Sequence, residues 1–243
     1  MKKEYHRWYS PNLGQEMPLV VYGHYGQPLL MFPTAAADCE EYERFGVVPA
    51  IARHIEAGRV KVFSIDSINR ESWLNDHAHP AHKSWRQACY DRYVDQEVAP
   101  FIAAHCQSPG IGIATSGASF GAFHAANTLF KHPDKFNCTI AMSGSYDLRA
   151  YCNGYYDDNF YFNNPADYLA NLTDGHILDQ LRRCRINIVT GQGSYEAPDR
   201  SRQLSAWLNR KGISHHLDVW GHDVNHDWPW WRIMLNVYIE KLF

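Results

Sequence analysis

The sequence lacks the features that would assign it to a membrane or to a nucleic acid. Among its 243 residues, no apolar run is long enough to span a bilayer. Residues 1–7 are not followed by the apolar core of a secretory signal. No block of lysine and arginine occurs and the formal net charge is only −3, so binding to nucleic acid or to an anionic membrane is not expected.

Paired cysteines, repeats and linkers are missing as well. The six cysteines are scattered without a C-x-x-C pair, which indicates reduced, buried thiols and predicts a cytoplasmic protein. No internal repeat, low-complexity tract or Pro/Ser-rich linker divides the chain. We therefore expect residues 1–243 to form one domain, a length that is sufficient for a single large core.

Short apolar runs alternate with helical patterns along most of the chain. The predicted strands are 4–10, 17–23, 29–32, 60–65, 111–114, 138–142, 186–190 and 215–220. Helices are expected at 49–57, at 87–106 with a kink at Pro100, after residue 119, at 200–210 and from Pro229 onward, whereas 67–85 is expected to be a loop. This alternation predicts a three-layer α/β fold with a mostly parallel central sheet and an antiparallel N-terminal hairpin.

Residues 147–185 interrupt this alternation. They are rich in tyrosine, asparagine and aspartate, too irregular for one helix and too aromatic to be disordered. Ligands bind at the carboxyl ends of the strands in such sheets. We expect this segment to be an excursion over that active-site face.

The most informative motif is Gly117-x-Ser119-x-Gly121, which follows an apolar run and begins a helical pattern. This context predicts a strand–turn–helix nucleophile elbow, in which the serine hydroxyl is exposed at the tip of a strained turn. The two glycines remove side chains that would collide with the strand or the helix. Ser119 is therefore the predicted nucleophile.

A serine hydroxyl needs a base within hydrogen-bond reach and a carboxylate that orients the base. In this kind of fold the chain order is serine, acid, histidine. His226, in the loop before the last helix, is the preferred base and His222 is the alternative. Glu196, soon after a predicted strand, is the preferred acid, whereas Asp199 is the alternative and could instead cap the next helix.

An oxyanion hole is expected from two backbone N–H groups. One belongs to Phe120, the residue after the nucleophile. The other is expected in the small-residue loop after the strand at 29–32. Ala35 is the preferred donor there, with Thr34 and Ala36 adjacent to it.

Two polar clusters could be considered as metal sites. Asp76 with His77, His79 and His82 has a spacing that fits no standard site. The run Asp-Asp-Asn at 157–159 lacks the spacing and the glycine of a calcium-binding EF-hand loop. No metal is expected, and a serine-based triad needs no cofactor.

Two motifs together resemble an esterase family of the α/β-hydrolases, which holds esterase D-like enzymes, enterochelin esterases and mycolyltransferases. They are Gly-Ala-Ser-Phe-Gly at 117–121 and His-Asp-Trp-Pro-Trp-Trp-Arg at 226–232. The second is similar to the family's His-[Asp/Ser]-Trp-x-x-Trp ending, in which the histidine is the base. The resemblance thus implies the α/β-hydrolase fold and favours His226. It also favours Glu196, because the family often uses glutamate as its acid. Pro-Thr-Ala at 33–35 departs from the His-Gly or Asp-Gly pair that relatives carry before the oxyanion residue.

The expected function is that of a serine carboxylesterase that hydrolyses a small-molecule ester through a Ser119–His226–Glu196 triad and an acyl-enzyme. Two alternatives remain at this stage. An acyltransferase would use the same triad with an alcohol in place of water, and a ligand-binding protein on a hydrolase scaffold would lack activity.

Overall fold

One eight-stranded sheet forms the centre of the computed structural model, which describes all residues 1–243. The strands are β1 Lys3–Ser10, β2 Gln15–Tyr22, β3 Gln27–Phe32, β4 Val60–Ile65, β5 Ile113–Ala118, β6 Phe136–Met142, β7 Arg185–Thr190 and β8 His216–Val219. Their order in the sheet is β1-β2-β4-β3-β5-β6-β7-β8. Strands β1 and β2 are antiparallel, β2 and β4 are antiparallel, and every other neighbouring pair is parallel. The predicted fold class is confirmed.

The hairpin of β1 and β2 forms because the four residues between them make a tight turn. Gly14 adopts φ 67° and donates its N–H to the Ser10 carbonyl at 2.7 Å. In the edge strand β1, half-buried and exposed residues alternate, so that Glu4, His6 and Trp8 face the protein. The inner strands β4 and β5 are buried along their whole length, as strands covered on both faces must be.

Helices cover both faces of the sheet and complete three layers. They are α1 Glu41–Arg44, α2 Val47–Ala50, α3 Ala52–Glu56, α4 Pro80–Tyr93, α5 Ala99–His105, α6 Phe120–Lys131, α7 Asp158–Tyr161, α8 Pro165–Asn171, α9 Gly175–Arg183, α10 Pro198–Arg210 and α11 Trp228–Leu242. One face of the sheet packs against α4, α5, α6, α8, α9 and α10, and the other against α1, α2, α3 and α11. No helix has the length and the apolar character needed to cross a membrane.

The prediction of a loop through residue 85 is wrong, because α4 begins at Pro80. The His79 side chain caps it by accepting the Ala81 N–H at 3.2 Å. Sequence patterning missed this first turn because the buried side of the helix is polar there. Lys83 and Arg86 are 5% and 6% exposed. An apolar stripe was therefore absent where the helix packs most tightly.

Two other helical predictions differ from the structure. The helix predicted at 49–57 is broken into the short α2 and α3, and the equally short α1 precedes them. The kink expected at Pro100 is replaced by a π-helical turn at Val94–Val98, which lies between α4 and α5. Pro100 lies in the first turn of α5, directly after this π-helical turn.

Residues 147–185 form a 3-10 turn at Arg149–Tyr151 followed by α7, α8 and α9. Cys152 and Phe160 pack in a small apolar cluster with Trp73 and Phe123. Near them, the ring of Tyr151 meets the ring of Phe120 edge-on at 5.4 Å. The segment thus packs against the beginning of α6, directly beside the predicted nucleophile.

Candidate active site

Ser119 lies between β5 and α6 in a backbone conformation that L-residues rarely adopt, with φ 56° and ψ −121°. The turn is possible because two glycines face each other. A Cβ on Gly117 would lie 2.3 Å from the Gly121 backbone, and a Cβ on Gly121 would lie 2.3 Å from the Phe32 carbonyl oxygen. The strained turn directs the Ser119 side chain away from the sheet at the carboxyl end of β5.

A buried tyrosine joins this turn to the end of β3. The Tyr42 hydroxyl donates to the Phe32 carbonyl at 2.8 Å and accepts the Ala118 N–H at 2.9 Å. The Tyr42 side chain has no solvent exposure. One hydroxyl therefore fixes the residue before Ser119 relative to the residue that leads into the 33–38 loop.

His226 meets the serine. Its Nε2 lies 3.0 Å from the Ser119 Oγ, within hydrogen-bond reach. The His226 backbone N–H donates to the Ser194 carbonyl at 3.0 Å, and its ring stands edge-on to the Trp231 ring at 4.9 Å. The alternative base, His222, is exposed. The structure thus brings His226, the preferred candidate, to the predicted nucleophile.

The helix that follows His226 is anchored by aromatic stacking. Trp228, the first residue of α11, stacks on Phe45 with ring centroids 4.4 Å apart and planes 8° from parallel. It also meets Tyr42 and Trp231 edge-on, at 5.7 and 5.0 Å. The histidine loop is therefore held against the part of the chain that follows β3.

Glu196 lies behind the imidazole. Its Oε2 is 3.7 Å from the His226 Nδ1, a distance for charge interaction that is longer than a hydrogen bond, and Nδ1 has no hydrogen-bond partner. The Glu196 side chain is 1% exposed. Burial alone raises the pKa of this carboxyl, but the neighbouring His226 and the hydroxyls of Ser143 and Thr190 outweigh it and hold the pKa below its ordinary value. The carboxylate is therefore kept ionised beside the histidine.

Two hydroxyls that the sequence analysis did not identify orient this carboxylate. Ser143 donates to Oε1 at 2.5 Å and Thr190 donates to Oε2 at 3.1 Å. The Trp231 indole N–H in turn donates to the Ser143 Oγ at 3.1 Å. Ser143 directly follows β6 and has φ 56°. In the sequence, the only indication that Ser143 belongs to the site is its position directly after the strand next to β5.

Asp199, the alternative acid, lies elsewhere. It occupies the first turn of α10, is 92% exposed and pairs with Arg202 at 2.8 Å. The structure does not bring it to His226.

One backbone N–H in the loop after β3 cannot donate to an oxyanion, because it is already hydrogen-bonded within the chain. The Thr34 N–H donates to the Glu41 Oε2 at 2.8 Å, and the Thr34 hydroxyl donates to Oε1 at 2.7 Å. The Ala35 N–H makes no hydrogen bond within the chain, and Ala36 makes none either. Phe120 is the first residue of α6, so its N–H lacks a partner inside that helix. Glu41 thus removes Thr34 from the candidate oxyanion donors and leaves Ala35 and Ala36.

The Ala35 peptide is also held from its other side. The Asn69 Nδ2 donates to the Ala35 carbonyl at 2.6 Å. The Asn69 Oδ1 is in turn 3.0 Å from the Nε2 of His124, a fully buried residue on α6. Neither residue was identified from the sequence, since 55 positions separate them and only the fold brings them together.

One residue from each polar cluster considered as a metal site has a structural role. His79 caps α4. Asp157 caps α7 by accepting the Phe160 N–H at 2.7 Å, and it also accepts the Ser84 hydroxyl at 2.9 Å.

A parallel sheet with a strained serine after β5 and a histidine from the loop after its last strand defines an α/β-hydrolase-fold protein. Solved structures share this fold across nearly their whole length. A ferulic acid esterase matches with a TM-score of 0.75 at 17% identity, covering 100% of this chain and 99% of the other. MPT51 from Mycobacterium tuberculosis matches at 0.74 and 16%, covering 100% and 98%. An S-formylglutathione hydrolase from Agrobacterium tumefaciens matches at 0.72 and 15%, covering 98% and 93%.

The sequence itself supplies the family. Residues 10–242 match the family described as "Putative esterase", and the chain belongs to that family. It is an enzyme that acts as a carboxylic ester hydrolase. A comparison with curated protein sequences finds no match.

Proposed function

We propose that the protein is a serine carboxylesterase in which Ser119 is the nucleophile, His226 the general base and Glu196 the residue that orients the base. The 3.0 Å contact between the Ser119 Oγ and the His226 Nε2, at the tip of a strained elbow, carries this proposal. His226 takes the hydroxyl proton as Oγ attacks the ester carbonyl. The Glu196 carboxylate then stabilises the imidazolium, and a modest movement of the ring would close the 3.7 Å gap to Nδ1.

Charge develops on the carbonyl oxygen as the tetrahedral intermediate forms. The Phe120 N–H, at the beginning of α6, and the Ala35 N–H are the proposed donors to this oxyanion. The unpaired state of the Ala35 N–H supports this role. Glu41 accepts the Thr34 N–H, and Asn69 donates to the Ala35 carbonyl. The backbone is therefore fixed on both sides of the Ala35 N–H, which is pre-organised.

Collapse of the intermediate yields an acyl-enzyme. His226 gives its proton to the leaving alcohol, the bond from the carbonyl carbon to that alcohol breaks, and the acyl group stays on Ser119. Water then enters, His226 removes its proton, and attack on the acyl carbon releases the acid and restores the serine. No metal or cofactor takes part in these steps. The proposed substrate is a small-molecule ester.

The test compares hydrolysis of p-nitrophenyl esters, from acetate to long acyl chains, by the wild type, Ser119→Ala and a matched serine variant. Ser116→Ala is suitable because Ser116 lies on the same strand, is buried and bonds the Ile140 carbonyl rather than the site. We expect Ser119→Ala to abolish turnover and Ser116→Ala to retain it. Full activity in Ser119→Ala would refute the proposal.

The acyl-enzyme has a test of its own. Intact-mass spectrometry after mixing with p-nitrophenyl acetate should show an acetyl adduct on the wild type and none on Ser119→Ala. Added alcohols then show whether water or an alcohol accepts the acyl group. If ester products replace the free acid at low alcohol concentration, the protein is an acyltransferase. If the wild type forms no adduct and hydrolyses no ester, catalysis through Ser119 is wrong.

A further inference from the structure

A second cleft lies at the opposite edge of the sheet from Ser119. It has a volume of about 1080 Å³ and is lined by residues at the amino ends of β3 and β4 and at the end of α5. The candidate active site lies at the carboxyl ends of the strands. The two are therefore separated by about 16 Å, the length of β3 at 3.3 Å per residue. This cleft takes no part in the ester chemistry described above.

Lys61 is the unusual residue of this cleft. Lys61 is 6% exposed and its side chain reaches the cleft, where its Nζ has no carboxylate within 4.0 Å and no hydrogen-bond acceptor, and lies over the Phe63 ring at 5.9 Å from the ring centroid. The other deeply buried lysine, Lys83, is 5% exposed and donates to two backbone carbonyls at 3.4 Å. The Lys61 ammonium thus opens onto the cleft with no carboxylate of the chain beside it, so an anion in the cleft can pair with it.

The other charged groups around the cleft add to its positive charge. Lys2 and Glu4 neutralise each other at 2.8 Å. Arg59 shares the single carboxylate of Glu240 with Arg53, at 3.1 and 2.9 Å, so this group keeps one net positive charge. Lys61, which has no carboxylate partner, therefore lies in the cleft beside an arginine group that carries net positive charge.

A divalent cation fits this charge pattern less well. Glu4, His6 and His105 each offer one ligand atom, and these atoms lie within 4.8 Å of one another. However, the carboxylate of the set is already paired with Lys2. Burial and the Lys61 charge both lower the pKa of His105, so a further cation would enter a field that is already positive. The balance of charge favours an anion.

We propose that this cleft binds a small ligand through a phosphate group, with Lys61 as its central charge partner and Arg59 as a second. A phosphate monoester carries close to two negative charges near neutral pH, which complements this positive charge. Its oxygens can accept several charge-assisted hydrogen bonds at once. The volume of the cleft leaves room for an organic part beside the phosphate.

Calorimetric titration with inorganic phosphate, at an ionic strength held constant with sodium chloride, tests the proposal. The wild type should bind phosphate, Lys61→Met should bind it at least about tenfold more weakly, and Lys211→Met should match the wild type. Lys211 is a suitable control because it lies beyond α10 and bonds the Leu172 carbonyl.

Further arms separate the outcomes. If Lys61→Met fails to fold, Arg59→Gln serves instead and should weaken phosphate binding several-fold. A sugar phosphate that binds more tightly than inorganic phosphate identifies a phosphorylated metabolite, and equal affinities identify free phosphate. No heat with either ligand, or equal affinity in Lys61→Met, overturns the proposal. Zinc binding that is lost in His105→Ala, without phosphate binding, replaces it with a metal site. Ester hydrolysis by Lys61→Met should be unchanged, so this result is independent of the triad.

Discussion

Replacing Tyr42 with phenylalanine removes one oxygen atom from the point where β3 and the nucleophile turn meet. The hydroxyl makes two hydrogen bonds, to the Phe32 carbonyl and from the Ala118 N–H, and the side chain is fully buried. No solvent reaches the groups that lose their partner. At about 1–3 kcal/mol for each buried group left unpaired, we expect the free energy of unfolding to fall by about 2–4 kcal/mol.

Activity should fall as well, and mainly in kcat. Ala118 precedes the nucleophile, and Phe32 precedes the loop that holds Ala35, so loss of the hydroxyl loosens both sides of the proposed oxyanion hole. A loss of about 1.4 kcal/mol of transition-state stabilisation corresponds to a tenfold decrease. We expect a decrease of at least about that size in hydrolysis of p-nitrophenyl acetate, with little change in KM.

Tyr168→Phe is the matched control. The Tyr168 hydroxyl is also buried but makes a single hydrogen bond, to the Asn127 Oδ1 at 2.8 Å, away from the nucleophile turn. Urea unfolding followed by circular dichroism gives the stability of both variants. The reasoning is refuted if Tyr42→Phe costs no more stability than Tyr168→Phe and keeps the wild-type kcat.

Three further results are expected. Gly121→Ala should destabilise or prevent folding, because its Cβ would lie 2.3 Å from a backbone oxygen of β3, whereas Gly175→Ala, with open space around it, should be tolerated; thermal unfolding compares them. Glu196→Gln should lower kcat by about 10²–10⁴, whereas the exposed Asp199→Asn should leave steady-state rates near the wild type; equal rates for both would exclude Glu196 as the acid. Burial lowers the pKa of His124 to about 3. As the pH falls, His124 is therefore protonated in the unfolded state before it is protonated in the folded state, and the free energy of unfolding decreases below about pH 6.5. His124→Gln should remove about 2–3 kcal/mol of the loss between pH 7 and pH 4.5; urea titrations at both pH values would show no difference from the wild type if the histidine does not stay neutral.

The parts of the candidate site that the sequence predicts are those with a local cause. The glycines two positions before and after Ser119 mark a turn that no other residue fits, and the structure shows both close approaches. Likewise, His226 was identified by its place after the last strand. Parallel strands bring such loops to one edge of the sheet, so order along the chain is enough to predict proximity.

The supporting residues had no such signal. Tyr42, Ser143 and Asn69 act through contacts with residues far away in the sequence, and a lone tyrosine, serine or asparagine looks the same in any loop. The beginning of α4 was missed for a related reason. Lys83 and Arg86 are buried there, and hydrophobic periodicity cannot detect a helix whose inner side is charged.

The stack of Trp228 on Phe45 also bears on how the enzyme is made. Ser119 and His226 are 107 positions apart, and the stack fixes the helix after His226 to a segment that is translated long before it. During synthesis, the turn at Ser119 leaves the ribosome while the proposed base, His226, is still missing. We therefore expect ester hydrolysis on stalled ribosomes to begin only after Trp228 has emerged and can dock on Phe45.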